Sequence, residues 1–211
     1  QLLLISSAFC IHFLPFSTHA QINTGRTCGT VSNTERLMAN DPTMAARVNE
    51  IEAHTANFVV AHRPGENNAA IVTIPVVYHI LYNNATQNIS EARILAQLNQ
   101  LNLDFAKLNT DFSTVPAAFS SLGADSKIQF CLAQRDPSGN STTGIIRKST
   151  SVTSFTQNDD IKFNATGGDN AWDRNRYLNI WVGNLGNQLL GYAQTPGGPA
   201  NSDGVVLLYS S

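Results

Sequence analysis

The run YLNIWVGNLGNQLLGYAQTPGGPANSDGVVLLYSS, from Tyr177 to Ser211, constrains this chain more than any other stretch. Leu178, Ile180 and Val182 alternate with Asn179, Trp181 and Gly183, the period of two that marks a strand with one buried face. Asn184 to Asn187 form a polar, glycine-containing turn. Leu189 to Gln194 then read as a short strand weakened by Gly191, of the kind found at a sheet edge. TPGGPANSDG, from Thr195 to Gly204, is a loop by its turn residues, and Val205 to Tyr209 is a third, continuously apolar strand.

Upstream, Ile71 to Tyr82 is a long strand, almost wholly apolar from Val76 onward, as expected when both faces are covered. Pro75 lacks an amide donor and so belongs near the start of that strand. Ser90 fits a helix N-cap, with Glu91 well placed against the helix dipole. Ile94, Leu95, Leu98, Leu101, Phe105 and Leu108 recur at intervals of three and four as one apolar stripe, so this helix is expected to back the sheet. Ile128 to Leu132 reads as another strand, in which Cys131 alternates with Phe130 and Leu132 and is a candidate buried thiol. A strand, a long helix and then several strands imply an α/β fold in α+β order, a twisted mixed sheet with a backing helix.

The chain has 211 residues, a net charge of -2 and only 13% charged residues, which leaves no basic footprint for nucleic acid. Leu2 to Phe16 form an apolar stretch followed by Ser17, Thr18, His19 and Ala20, the pattern of a secretory signal peptide over residues 1–20. Because the chain opens on Gln1 with no basic n-region, the start of that signal is expected to be missing. About 15 apolar residues interrupted by Pro15 are too few to span a bilayer, so no membrane span is expected. Residues 21–66 carry two short helical signals. Ser32 to Glu35 fits a capping box; Asp41-Pro42 fits an N-cap followed by a first-turn proline, with Val48 and Ile51 as a small apolar face. Such helices have to lie on something larger. Arg63 to Asn68 is the best linker, and residues 67–211 form the main domain.

Taken in order, IPVVYHILY at Ile74, ISEARI at Ile89, IQFCLAQRDPSGNSTTGIIR at Ile128, GGDNAW at Gly167 and the YLNIWV, LGYAQ and DGVV strands resemble the pappalysin family of metzincin zinc peptidases. A weaker match, RTCGT, lies at Arg26 to Thr30. The resemblance implies a metzincin-like N-terminal lobe at 67–211 and a short helical pro-segment at 21–66. It also implies a secreted zinc metalloendopeptidase acting on proteins or peptides, with structural Ca2+ compatible. In that family an H-E-x-x-H-x-x-G-x-x-H helix follows the DGVV strand. The ligands for Zn2+ and the general-base glutamate are therefore expected after Ser211, and residues 1–211 alone are expected to be inactive. A secreted noncatalytic binding or adhesion module is the alternative.

None of His54, His62 and His79 sits in the i, i+4 spacing that puts two imidazoles on one helical face. His79, inside an apolar strand, reads as a hydrogen-bonded core residue. Cys28 stands beside Arg26, which favours the thiolate, and beside Gly29, which permits close backbone approach. The resemblance implies that Cys28 is a latency thiolate to zinc in the zymogen; a disulfide to Cys131 is the structural alternative. Leu190, Gly191, Tyr192 and Ala193 carry the substrate-binding reading: an edge strand whose unpaired amides and carbonyls accept a peptide as an added strand. Asn84, Asn88, Asn140 and Asn164 open N-x-Ser/Thr triplets.

Overall fold

The computed structural model describes residues 25–61 and 70–211; the expected signal region, His62 and the linker Arg63 to Asn68 lie outside them. In chain order the elements are β1 (Thr27–Cys28), α1 (Thr30–Asn40), α2 (Met44–Ala61), β2 (Val72–Tyr82), α3 (Glu91–Phe105), β3 (Ile128–Leu132), β4 (Ile145–Ser149), β5 (Leu178–Gly183), β6 (Leu189–Ala193) and β7 (Val205–Leu208). They build one seven-stranded sheet in the order β1-β6-β7-β5-β2-β3, with β4 also paired to β2. The pairs β2–β3, β2–β4, β2–β5 and β5–β7 are parallel, whereas β6 runs antiparallel to β7 and β1 runs parallel to β6. The fold is the expected mixed α/β arrangement.

β2 is the axis of the sheet. Along one side its first half pairs with β3 and its second half with β4, while β5 holds the other side. β4 has no clean alternation of apolar and polar residues in sequence, and the expected strand set lacked it. Val76, Tyr78 and Ile80 point to the side of α3, meeting Ile94, Leu98, Phe130, Ile180 and Val182. α3 opens as expected, with Ser90 Oγ accepting from the Arg93 amide at 3.3 Å. Its apolar stripe is narrower than the sequence suggests. Ile94 and Leu98 are buried and Leu101 is partly so, but Leu95 is exposed and Leu108 lies beyond the helix. Cys131 is exposed rather than buried, because Phe130 is the β3 residue that faces α3. Asn102 of α3 closes the outer edge of β3, donating to Phe130 O at 2.9 Å and accepting from Phe130 N at 2.7 Å.

The opposite face is covered by the long β4–β5 connection. Phe155 and Ile161 from that connection join Leu81, Trp181, Leu185, Leu189, Tyr192, Val206 and Leu208. His79, fully buried, ties the connection down: its Nδ1 lies 2.7 Å from Asp169 Oδ2 and its Nε2 3.1 Å from Asn179 Oδ1. Its ring stacks on Trp181 at 5.1 Å, and Trp181 Nε1 donates to Asp169 O at 2.8 Å. This is the core histidine that the sequence suggested. Burial acts to raise the Asp169 pKa, but the hydrogen bond and charge of His79, with Lys148, outweigh it and hold the carboxyl below its usual value.

The N-terminal region departs from expectation in two ways. The capping box does not form: α1 begins at Thr30 after Gly29, and Ser32, inside the helix, donates to Gly29 O at 3.2 Å and meets Gln157. α2 is a helix of 18 residues, not a short one, entered through Asp41, whose Oδ1 accepts from Thr43 N at 3.0 Å. Its fully buried anchor is Met44; Val48 is half-buried and Ile51 exposed. Among the described residues no helix is long and apolar enough to cross a membrane.

Trp181→Ala in the full-length protein should lower its unfolding free energy by about 3 to 5 kcal/mol in urea titration. Leu95→Ala should cost about 0.5 kcal/mol or less, as at other exposed positions. Equal effects would mean that α3 presents a different face to the sheet.

Candidate active-site rim and its covering segment

β6 is a short strand between two partners. On one side it meets β7 in the register Gly191↔Leu207, Tyr192↔Val206 and Ala193↔Val205. Gly191 is required on this side, since a Cβ there would lie 2.4 Å from Val206 O. The glycine in this strand thus serves its close approach to β7.

The other side of β6 is not open in this structure. Residues 27–33 meet its outward-facing backbone groups in turn. Thr27 N donates to Gln188 O at 3.0 Å, and Gly29 N donates to Gly191 O at 2.8 Å. Ala193 N donates to Thr30 Oγ1 at 3.1 Å, and Asn33 Nδ2 donates to Ala193 O at 3.0 Å. Leu190 to Ala193 are thus an inner strand here, with β1 as the edge. No sequence rule isolates a two-residue strand. Its signal is the glycine at 29, where a Cβ would come within 2.8 Å of Leu189 and 2.9 Å of Gln157.

Two features singled out separately in the sequence come together. Cys28 pairs with Gly191 in the β1–β6 register, and its thiol lines a shallow apolar groove of about 260 Å³ with Leu190, Val205 and Leu207. The thiol is exposed and unpaired, as is that of Cys131, so the Cys28–Cys131 disulfide does not form. Thr30 Oγ1 accepts from Ala193 N, which leaves its own proton free for Cys28 Sγ, 3.4 Å away. That hydroxyl, followed by the Thr30 backbone, lowers the Cys28 pKa below the usual thiol value. The source of the acidity is Thr30 rather than Arg26.

On the far face of β6, Tyr192 is buried with Lys162, whose Nζ lies 5.0 Å from the Tyr192 ring and 5.5 Å from that of Trp181. Burial pushes the Tyr192 phenol upward and the Lys162 ammonium downward. Lys162 Nζ donates to Ser202 O at 2.7 Å and lies 2.8 Å from Asp159 Oδ1. Arg36 of α1 reaches the other oxygen of Asp159. Sequence reasoning passed over this cluster because its members are separated along the chain and none belongs to a motif. Further along, Arg47 Nε donates to Gly197 O at 2.8 Å.

Among the described residues no group of three or more His, Cys, Asp or Glu side chains could hold a metal ion. His54 is exposed on α2. The asparagines of the four triplets are all engaged by neighbours, Asn84 as a cap, Asn88 by Arg147, Asn140 by Asp136 and Asn164 by Lys148.

No protein-family model matches the chain, and no curated protein is significantly similar to it. Among solved structures, mature mirolysin from Tannerella forsythia in complex with a cleaved peptide is 50% identical over 67% of this chain and 54% of its own, with a TM-score of 0.65. A mirolysin complex with a small compound gives the same figures. A promirolysin mutant from Tannerella forsythia is 45% identical over 87% of this chain and 60% of its own, with a TM-score of 0.73. The chain thus spans somewhat more than half the length of these proteins, and its fold is metzincin-like. The proenzyme match extends over a fifth more of the chain than the mature-enzyme match.

In chelator-treated protein, Cys28 should be alkylated by iodoacetamide with a pH inflection below that of an ordinary thiol, and Thr30→Val should move the inflection upward. An inflection unmoved by Thr30→Val would remove the hydroxyl from the account.

Proposed function

We propose, with this metzincin-like fold as premise, that the chain is the N-terminal part of a secreted zinc metalloendopeptidase precursor of pappalysin type. Residues 1–20 serve as export signal, 21–66 as latency segment and 67–211 as the N-terminal lobe of the enzyme. The zinc ligands and general base belong to protein outside the described residues. What these residues supply is recognition and its blockade.

One observation carries the reading: the outward backbone groups of Gln188, Gly191 and Ala193 are hydrogen-bonded by residues 27–33. An added strand satisfies a sheet edge in the same way that a bound peptide does. In the mature enzyme Leu190, Gly191, Tyr192 and Ala193 offer that edge to an extended peptide substrate, and in the precursor β1 occupies it. The larger reach of the proenzyme match, compared with the mature one, supports residues 21–66 as the removable part. The complex of mature mirolysin with a cleaved peptide supports peptides as the substrate class. Cys28, opposite Gly191 and exposed to the groove, acts as the latency thiolate. A thiolate is a good zinc ligand and would take the place of the nucleophilic water.

In the full-length precursor, Cys28→Ala should shorten the lag before peptide hydrolysis, and the hydrolysis should be abolished by chelator. A lag equal to wild type would mean that the thiolate is not the lock. By hydrogen exchange, the Ala193 amide should be protected in the precursor, labile after removal of residues 21–66, and protected again by a peptide inhibitor. An amide that stays labile with inhibitor bound would take β6 out of substrate binding.

A further inference from the structure

The covering segment is held on both faces of β6, and the two holds differ in chemistry. Cys28 lies on the side of Val205 and Leu207, above the groove. Arg36 reaches the opposite side, where Asp159 lies beside Lys162. Asp159 belongs to the β4–β5 connection and stands in the left-handed region at φ 68°. Its side chain is only 7% exposed, and Lys162 is fully buried. Arg36 Nη2 also donates to Asn33 Oδ1 at 2.7 Å, and the same asparagine binds Ala193 O, so guanidinium and strand cover are joined through one side chain.

A buried carboxylate that lost its only cation would be strongly unfavourable. Asp159 does not face that outcome. Lys162 is supplied by the lobe itself and is fixed by Ser202 O and by the Trp181 and Tyr192 rings. Arg36 is therefore a second, removable cation on an acceptor that remains paired without it. Neither Arg36 nor Asp159 touches Cys28, and their attraction requires no metal. Arg47, bonded to Gly197 O, and Val48, beside Gly197, extend the same hold along the Pro-Gly loop.

We propose that Asp159 is a metal-independent receptor for the Arg36 guanidinium, so that the N-terminal segment, once cut from the lobe, stays bound as a non-covalent inhibitor. This rests on reading residues 21–66 as a latency segment. The partner is a peptide that pairs with β6 through residues 27–29 and presents one guanidinium about two helical turns further on.

The test uses the full-length precursor, cut by limited proteolysis between α2 and β2 and passed through gel filtration with chelator present. The wild-type segment should co-elute with the rest of the protein. In displacement measurements with synthetic peptides covering residues 25–61, Arg36→Gln should bind about 10- to 100-fold more weakly, less than the loss for a fully buried pair because Lys162 stays beside Asp159. Arg36→Lys should recover part of that loss, and Cys28→Ala, which keeps the strand backbone, should weaken metal-free binding far less than Arg36→Gln does. Because these changes are on the peptide, the fold of the lobe is not at stake. Asp159→Asn in the precursor is the complementary variant; it should abolish the difference between wild-type and Arg36→Gln peptides. Equal binding of those two peptides to unaltered protein, or release of the segment as soon as metal is stripped, would overturn the receptor while leaving thiolate latency intact. If the peptides rank as expected but the uncut precursor is as active as the cut one, the receptor stands and the latency reading fails.

Discussion

An open sheet has to finish somewhere, and the backbone donors and acceptors of its last strand have to be met by protein, by water or by a partner. That requirement organises this molecule. At one end, the side-chain amide of Asn102 reaches from α3 to close β3 with a donor and an acceptor. At the other, residues 27–33 close β6 using two main-chain amides, one hydroxyl and one side-chain amide. The first closure is made within the lobe and is permanent. The second comes from a segment whose further contacts include those of Ser32 with Gln157, Arg36 with Asp159, Thr34 with Thr195, and Arg47 and Val48 with the loop after β6.

The position of β6 is set in turn by the far face of the sheet. Tyr192 and Val206 are buried among Trp181, Ile161 and Leu208, so the pair β6–β7 is held from behind. Ile161 and Phe155 reach that layer because the β4–β5 connection is pinned through Asp169 to His79 and Trp181. The histidine embedded in the central strand contributes no chemistry to the rim. It fixes the connection that also carries Asp159 and Lys162, and so determines where Arg36 can dock.

Much of the lobe is visible in the sequence because its signals are local. The alternation in Leu178 to Gly183, the largely apolar run in β2 and the Ser90 cap each specify their own element, and all three elements formed; β5, however, is buried on both faces rather than the one its alternation suggests, because Asn179 and Trp181 lie under the β4–β5 connection. Expectations failed where distant residues decide. Ser32 has the composition of a cap, yet its hydroxyl is drawn to Gln157, 125 residues away. Leu95 has the right helical phase, but α3 rests on the sheet through Ile94 and Leu98, with Leu101 at its margin and Phe105 against the Phe130 ring, and Leu95 is left outside. β1 is two residues long and exists only because β6 offers an edge. The Arg36–Asp159 pair joins two ordinary surface-type residues across 123 positions, and no periodicity marks either.

The bond between Asn33 and Ala193 spans 160 residues of chain, and the covering side comes first. During synthesis the chain emerges from its N-terminus, so α1 is outside the ribosome well before the strand it caps. By the time Leu189 to Ala193 can pair with β7, the segment is tethered nearby, at an effective concentration far above that of any free polypeptide. The nascent edge of β6 therefore meets its own tether before it meets anything else in a crowded compartment. Order along the gene thus acts as a chaperone for the rim, shielding an adhesive strand from the moment it folds.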